Sequence, residues 1–119
     1  MKNIIIIDDD DIHNFILENE LTSSYQCQVQ CFTDTTKATL YLKDNQPDII
    51  LLDINMRPMN GFEFLENYIS NKLVNNKTKI YIISSSKHEK DINKAKTFPV
   101  ITDYLVKPIN YSVLNISQK

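Results

Sequence analysis

Short apolar runs, each ended by a polar or charged side chain, recur along the chain and alternate with segments of helical periodicity. Lys79 to Ile83 and Thr102 to Val106 predict strands, while Lys2 to Ile7 contains four consecutive isoleucines and Ile49 to Leu52 is wholly apolar. Apolar runs of this length predict strands covered on both faces, as in a parallel sheet. Gln28 to Phe32 predicts a further short strand. Between the strands, Asp11 to about Ser23 predicts a helix whose broad apolar face is Ile12, Phe15, Ile16 and Leu17. Thr35 to Asn45, presenting Ala38, Tyr41 and Leu42, predicts a second helix, and Gly61 to about Asn71, with Phe62, Leu65 and Ile69, a third. Lys87 to Lys96 predicts a fourth, and the tail after Pro108 permits only a short last helix, Tyr111 to Ile116.

Five strands alternating with helices imply right-handed crossovers and an α/β fold, a doubly wound five-stranded parallel sheet with helices on both faces. With 119 residues the expectation is one domain, residues 1–119, and no repeats or linkers interrupt it. Ligands of such sheets bind beyond the carboxyl ends of the strands, where the strand order reverses. The chain puts chemistry at those ends. Asp8 and Asp9 follow the first strand, Asp53 the third, Ser84 the fourth and Lys107 the fifth.

Neighbouring strands lie about 4.8 Å apart, so carboxylates ending adjacent strands are crowded together. Such a group invites a raised pKa or a divalent cation, and oxygen donors suit Mg²⁺, or Mn²⁺, better than zinc. Lys107 offers a positive charge to phosphoryl oxygens and Ser84 a hydroxyl hydrogen bond. A carboxylate nucleophile, a metal, a lysine and a hydroxyl supply what phosphoryl transfer needs without a histidine base. Taken singly, the same residues have plainer roles. Ser84 alone would cap the helix at Lys87, and Lys107 alone would be a surface lysine. Asp10 or Asp11 is expected to cap the first helix. His13 and His88 receive no catalytic role.

Composition narrows the function classes. Hydrophobic content of 42% and charged content of 24% are ordinary for a globular chain, and a net charge of −2 offers no footprint for nucleic acid or anionic lipid. The apolar runs are too short to span a membrane, and the first runs directly into four aspartates, unlike a secretory signal, so the expected location is the cytoplasm. Lys87, Lys90, Lys94 and Lys96 load the fourth helix, most simply as a solvated face. Cys27 and Cys31, on one strand face roughly 13 Å apart, are too distant for a disulfide or a shared metal and are expected to be reduced. The single glycine, Gly61, disfavours a nucleotide- or flavin-binding loop.

In its joint order and spacing of motifs the whole chain resembles a response-regulator receiver domain of two-component signalling, of the stand-alone, chemotaxis-receiver-like type. The matching residues are Asp8-Asp9, Leu52-Asp53-Ile54-Asn55-Met56 through Asn60-Gly61, Ile83-Ser84-Ser85, and Tyr104-Leu105-Val106-Lys107-Pro108. The resemblance implies a flavodoxin-like sheet of order 2-1-3-4-5, with Asp53 as phosphoacceptor. It implies Mg²⁺ held by Asp9, Asp53 and the Asn55 backbone carbonyl, with Asp8 acting mainly through water. Ser84 and Tyr104 would be the switch residues, Lys107 would pair with the acceptor or its phosphate, and the Lys107-Pro108 bond would be cis. Asn55 and Ser86 match positions that tune dephosphorylation. Two departures stand out: Arg57 follows Met56 where the family usually has proline, and the last helix is short.

The implied function is a phosphorylation switch with no separate substrate, and so not an enzyme in the ordinary sense. Its partners would be a histidine kinase or histidine phosphotransfer protein and a downstream protein, without nucleic acid or membrane, as a monomer or a weak phosphorylation-dependent dimer. Three alternatives differ from it in kind. A phosphorelay intermediate would pass the phosphoryl group on, a phosphate-independent module would only bind protein, and a Mg²⁺-dependent phosphohydrolase would commonly carry an acid two residues after the nucleophile, where this chain has Asn55.

Overall fold

The computed structural model describes residues 1–119. The strands are β1 (Lys2–Ile7), β2 (Cys27–Phe32), β3 (Ile49–Asp53), β4 (Lys79–Ser84) and β5 (Ile101–Val106), and the helices α1 (Asp11–Ser24), α2 (Thr35–Asp44), α3 (Gly61–Ser70) and α4 (Glu89–Ala95). All four strand pairings are parallel, in the order β2-β1-β3-β4-β5. This is the expected doubly wound sheet. β3 and β4 each run one residue further than their apolar runs, so Asp53 and Ser84 are the last residues of strands and inherit strand rigidity.

The continuous apolar runs have the physical cause expected of them. Ile5 and Ile7 of β1, Ile50 and Leu52 of β3, and Ile80 and Ile82 of β4 face a core closed by Ala38 and Leu42 of α2, Phe62, Phe64, Leu65 and Tyr68 of α3, and Ala95 of α4. The alternate residues Ile4, Ile6, Ile49, Leu51, Tyr81 and Ile83 face a second core closed by Leu17 and Leu21 of α1 and by Leu114 and Ile116 of the tail. Each fully buried aliphatic side chain contributes roughly 1.5–3 kcal/mol, so the three central strands anchor both layers at once.

Four expectations are corrected. Of the apolar face expected on α1 only Leu17 is buried: Ile12, Phe15 and Ile16 are 73%, 65% and 47% exposed, and the buried seam is Asn14, Leu17 and Leu21. Asn14 points inward, its Nδ2 donating to the Asp8 carbonyl at 2.9 Å, on the same seam that packs Leu17 and Leu21 into the core. On α3, Ile69 is exposed and Phe64 and Tyr68 take the interior. α4 begins at Glu89, because residues 85–88 form a loop in which Ser86 Oγ accepts from His88 N at 3.2 Å and donates to Asp91 at 2.8 Å.

The fourth correction concerns the tail. In place of a helix to Ile116 there is a 3₁₀ turn, Tyr111–Leu114, with Asn110 accepting from Ser112 N and Asn115 in the left-handed region at φ 54°. The chain then extends across the α1 side and forms an antiparallel bridge between Gln118 and Tyr25, with Gln26 N donating to Ser117 O at 2.7 Å. Leu114 and Ile116 are buried on the way. No helix is long and apolar enough to cross a membrane.

Candidate functional site

Asp53 closes β3 between the ends of β1 and β4, and its carboxylate is buried. Oδ1 accepts the Asn55 backbone N–H at 2.8 Å, and Oδ2 lies 3.4 Å from Lys107 Nζ. Burial pushes the Asp53 carboxyl above its usual range; the Asn55 N–H opposes the rise, Asp8 adds to it, and Lys107 opposes it in turn. A carboxylate held in this way is short of positive charge.

Lys107 is fixed at its base by its backbone N–H, which donates to Ser84 O at 2.8 Å. Its ammonium group reaches past Asp53 to within 3.6 Å of Asp8 Oδ2. Asp8, just beyond β1, is buried; Oδ1 accepts from Asp10 N at 3.0 Å and Oδ2 lies 2.7 Å from His13 Nδ1. Asp9 is exposed, and its Oδ2 accepts from Arg57 N at 3.2 Å, which ties the first acidic loop to the β3–α3 loop. Arg57 occupies the departure from proline, and a proline there would have no N–H to give. As expected, the Lys107-Pro108 bond is cis; the Arg57-Pro58 bond is cis as well.

Ser84 is fully buried at the end of β4, where its Oγ accepts from Ser86 N at 3.0 Å and from Asn55 Nδ2 at 3.4 Å. The Tyr104 hydroxyl donates to Ser86 O at 3.0 Å. A chain of contacts thus runs from Asn55 through Ser84 and Ser86 to Tyr104 on β5. Gly61 sets the loop against Asp53: its N–H donates to Ile54 O at 3.1 Å, and a Cβ there would lie 2.6 Å from Asp53 O. Only glycine allows that approach.

Asp53, Asp8, Lys107, Ser84 and the Asn55 loop are therefore brought together, and Tyr104 is linked to them through Ser86. Asp9 stands at the rim. No group of three or more histidine, cysteine or acidic side chains is gathered closely enough to form a ready-made metal cage. The donor chemistry nonetheless fits a hard cation. Asp8 and Asp53 are two buried carboxylates sharing one lysine, and the remaining donors at hand are the Asp9 carboxylate and backbone carbonyls, all oxygen.

Two residues that the sequence did not assign to the site also touch it, His13, given no role, and Asn14, not singled out. His13 lies in the first turn of α1, and helical side chains lean back toward the N-terminus, so its ring reaches the acidic loop. Asn14 was hidden because apolar periodicity ignores a polar residue that turns inward. The cysteines are free, as expected, with Cys31 beside Glu18 and its thiol pushed up by burial to about 12.

These observations define a class, a doubly wound α/β domain whose buried carboxylates, lysine and hydroxyl converge where the strand order reverses. Residues 4–117 match the family described as response regulator receiver domain, and the chain belongs to that family, whose members are signalling modules of two-component systems. Among curated proteins it is 32% identical to the transcriptional regulatory protein DcuR of Escherichia coli strain K12, over 94% of this chain and 46% of that protein. The chain thus spans less than half the length of that relative. Among solved structures, a response regulator receiver protein from Dyadobacter fermentans is 33% identical with a TM-score of 0.84, covering 94% of this chain and 91% of that one. The response regulator TrrA of Thermotoga maritima, solved in complex with Mg²⁺-BeF, shares the fold at 22% identity and a TM-score of 0.76, covering 97% and 94%.

Proposed function

We propose that this domain accepts a phosphoryl group on Asp53 from a phosphohistidine of a kinase or phosphotransfer protein, and that the modification switches a partner-binding surface. One arrangement carries the reading: the Asp53 carboxylate is buried at the reversal of strand order, with Oδ1 oriented by Asn55 N–H and Oδ2 facing Lys107. An Asp53 oxygen attacks phosphorus, the P–N bond breaks, and the imidazole leaves with a proton taken from solvent. The product is an acyl phosphate. Lys107 balances charge on the phosphoryl oxygens, and the Ser84 hydroxyl, released from its acceptor role toward Ser86 N, donates to one of them. Asp8, Asp9, Asp53 and the Asn55 carbonyl would hold Mg²⁺, which supplies further neutralisation of phosphoryl charge.

Moving Ser84 breaks its bond with Ser86 N and so disturbs the loop whose carbonyl holds Tyr104. That is a short mechanical path from acceptor to the α4–β5 face. The exposed Ile12, Phe15 and Ile16 of α1 lie one helix turn or two from the acidic loop and suit docking of the phosphodonor's helices. A phosphohydrolase is disfavoured because Asn55, two residues after the nucleophile, carries an amide that cannot act as a general acid. The domain would work in the cytoplasm, where such donors are found.

The test is a nuclear magnetic resonance titration with Mg²⁺ and beryllofluoride, a mimic of the phosphoryl group. Amides of Asn55, Ser84 to Ser86, Tyr104 and Lys107 should shift in the wild type and remain unmoved in Asp53→Ala. An unresponsive wild type would overturn the proposal in favour of a phosphate-independent binding module.

A further inference from the structure

We propose that His13 is a positioning residue of the acceptor site, holding Asp8 so that Lys107 stays directed at Asp53. The inference rests on the acceptor reading above and deepens it. Its ground is a conflict among donors. His13 Nδ1 lies 2.7 Å from Asp8 Oδ2 and 3.2 Å from Lys107 Nζ. An ammonium group only donates and an ionised carboxylate only accepts, so one ring nitrogen cannot serve both. A bare Nδ1 would set two lone-pair-bearing atoms 2.7 Å apart. The short contact therefore requires Nδ1–H donating to Asp8, and Lys107 must spend its hydrogens on the carboxylates.

The consequence follows from distances. Lys107 Nζ is 3.4 Å from Asp53 Oδ2 and 3.6 Å from Asp8 Oδ2, so by separation alone its charge is almost evenly divided between them. What separates the two carboxylates is their other partners. Each accepts one backbone N–H on Oδ1, from Asp10 for Asp8 and from Asn55 for Asp53; on Oδ2, Asp8 has the His13 N–H besides the lysine, whereas Asp53 has Lys107 alone. Without the His13 donor, Asp8 Oδ2 would draw the lysine toward itself and away from the acceptor. It would also lose the bond that fixes its orientation toward a divalent cation. The setting of His13 suits this role, because its backbone N–H is held by Asp10 Oδ1 at 3.1 Å and its side chain is 22% exposed, so the ring is anchored without being part of the core.

The experiment compares wild type with His13→Phe, which keeps a ring without the donor, and His13→Asn, whose amide nitrogen can stand near the place of Nδ1. Two readouts are taken, Mn²⁺ affinity by electron paramagnetic resonance and the rate at which acetyl phosphate labels Asp53, with a melting curve for each protein. Loss of a partner of a ligating carboxylate typically weakens a metal site by about 10- to 100-fold. The expected result is a weakening of about tenfold in Mn²⁺ affinity and a comparable slowing of labelling for His13→Phe, with His13→Asn within about threefold of wild type. His13→Ala repeats the test if the phenylalanine overpacks. At saturating Mg²⁺, where weaker metal affinity no longer limits the rate, removing His13 in the background of Lys107→Met should slow labelling by far less than it does alone, because the remaining effect on the acceptor passes through the lysine. Equal Mn²⁺ affinity and labelling in wild type and both donor-free variants would overturn the role of His13 alone. A wild type that neither binds Mn²⁺ nor is labelled would overturn the acceptor reading and this inference with it.

Discussion

β3 has an aspartate at each end, and the two are used in opposite ways. Asp48, just before the strand, is half-exposed; its Oδ2 accepts from Asn3 N at 2.8 Å, its N–H donates to Asn3 O, and its carbonyl accepts from Lys79 N at 2.9 Å. Those bonds fasten the starts of β1 and β4 to the start of β3, with water at hand to solvate the charge. Asp53, at the far end, is buried beside a second carboxylate with one lysine between them. The four buried polar side chains of the molecule, Asp8, Asn14, Asp53 and Ser84, all lie at or next to the carboxyl end of the sheet, and Asn14 Oδ1 finds no partner at all. Burying polar groups costs stability unless they are fully satisfied. The amino end is built for stability, and the carboxyl end carries a cost that the proposed acceptor role accounts for.

Substitutions can break this contrast in graded steps. The largest effect short of removing the acceptor is expected at Lys107. Lys107→Ala should slow labelling of Asp53 by acetyl phosphate by about 10²- to 10³-fold, the usual loss when one preorganised charge or donor is taken from a phosphoryl or oxyanion site; a rate within about threefold of wild type would remove the lysine from the mechanism. Gly61→Ala comes next. Its Cβ would collide with backbone at Asp53 and Ile54, so chemical denaturation should report a loss of about 1–3 kcal/mol, accompanied by slower labelling because the acceptor's own backbone has to move. Stability and labelling both unchanged would mean that the loop adjusts freely.

Asp48→Ala sharpens the comparison from the other end. It should cost about 0.5–1.5 kcal/mol through the lost bond to Asn3 N and leave the labelling rate untouched; a slowed rate would mean that the two ends of the strand are coupled. The smallest effect concerns pH in metal-free buffer. Because the Asp53 carboxyl is raised in the folded state, its contribution to stability is present below the ordinary carboxylate range and is lost as pH rises through the raised value. Asp53→Asn should therefore melt higher than wild type at neutral pH, and the difference should close as pH falls into the carboxylate range. An advantage that persists at low pH would assign the strain to something other than the charge.

Much of the fold could be read from the chain because three strands are covered on both faces and so appear as unbroken apolar runs, with the site residues at their ends. Asp53 and Ser84 needed only that counting, and Lys107 only the end of the edge strand β5. The rotation of α1 could not be read in the same way. Ile12, Phe15 and Ile16 carry more apolar surface than Asn14, yet the buried seam is the one that packs Leu17 and Leu21 on the sheet and lets an inward Asn14 donate to the Asp8 carbonyl. The contact of His13 with Asp8 was illegible for a related reason, since its partner is set by the lean of a helical side chain and not by spacing along the sequence. The tail depends on pairing with Tyr25, some ninety residues away in sequence, and no local pattern records that.

The central claim, that the buried carboxylate at the end of β3 is the acceptor, is tested most directly by intact-mass analysis after treatment with acetyl phosphate and Mg²⁺. Wild type and Asp53→Ala are compared, with an untreated control and a known receiver domain as positive control. Gain of one labile phosphoryl group by the wild type and none by the variant is the predicted result. An adduct on both proteins, or on neither while the positive control is labelled, would contradict it.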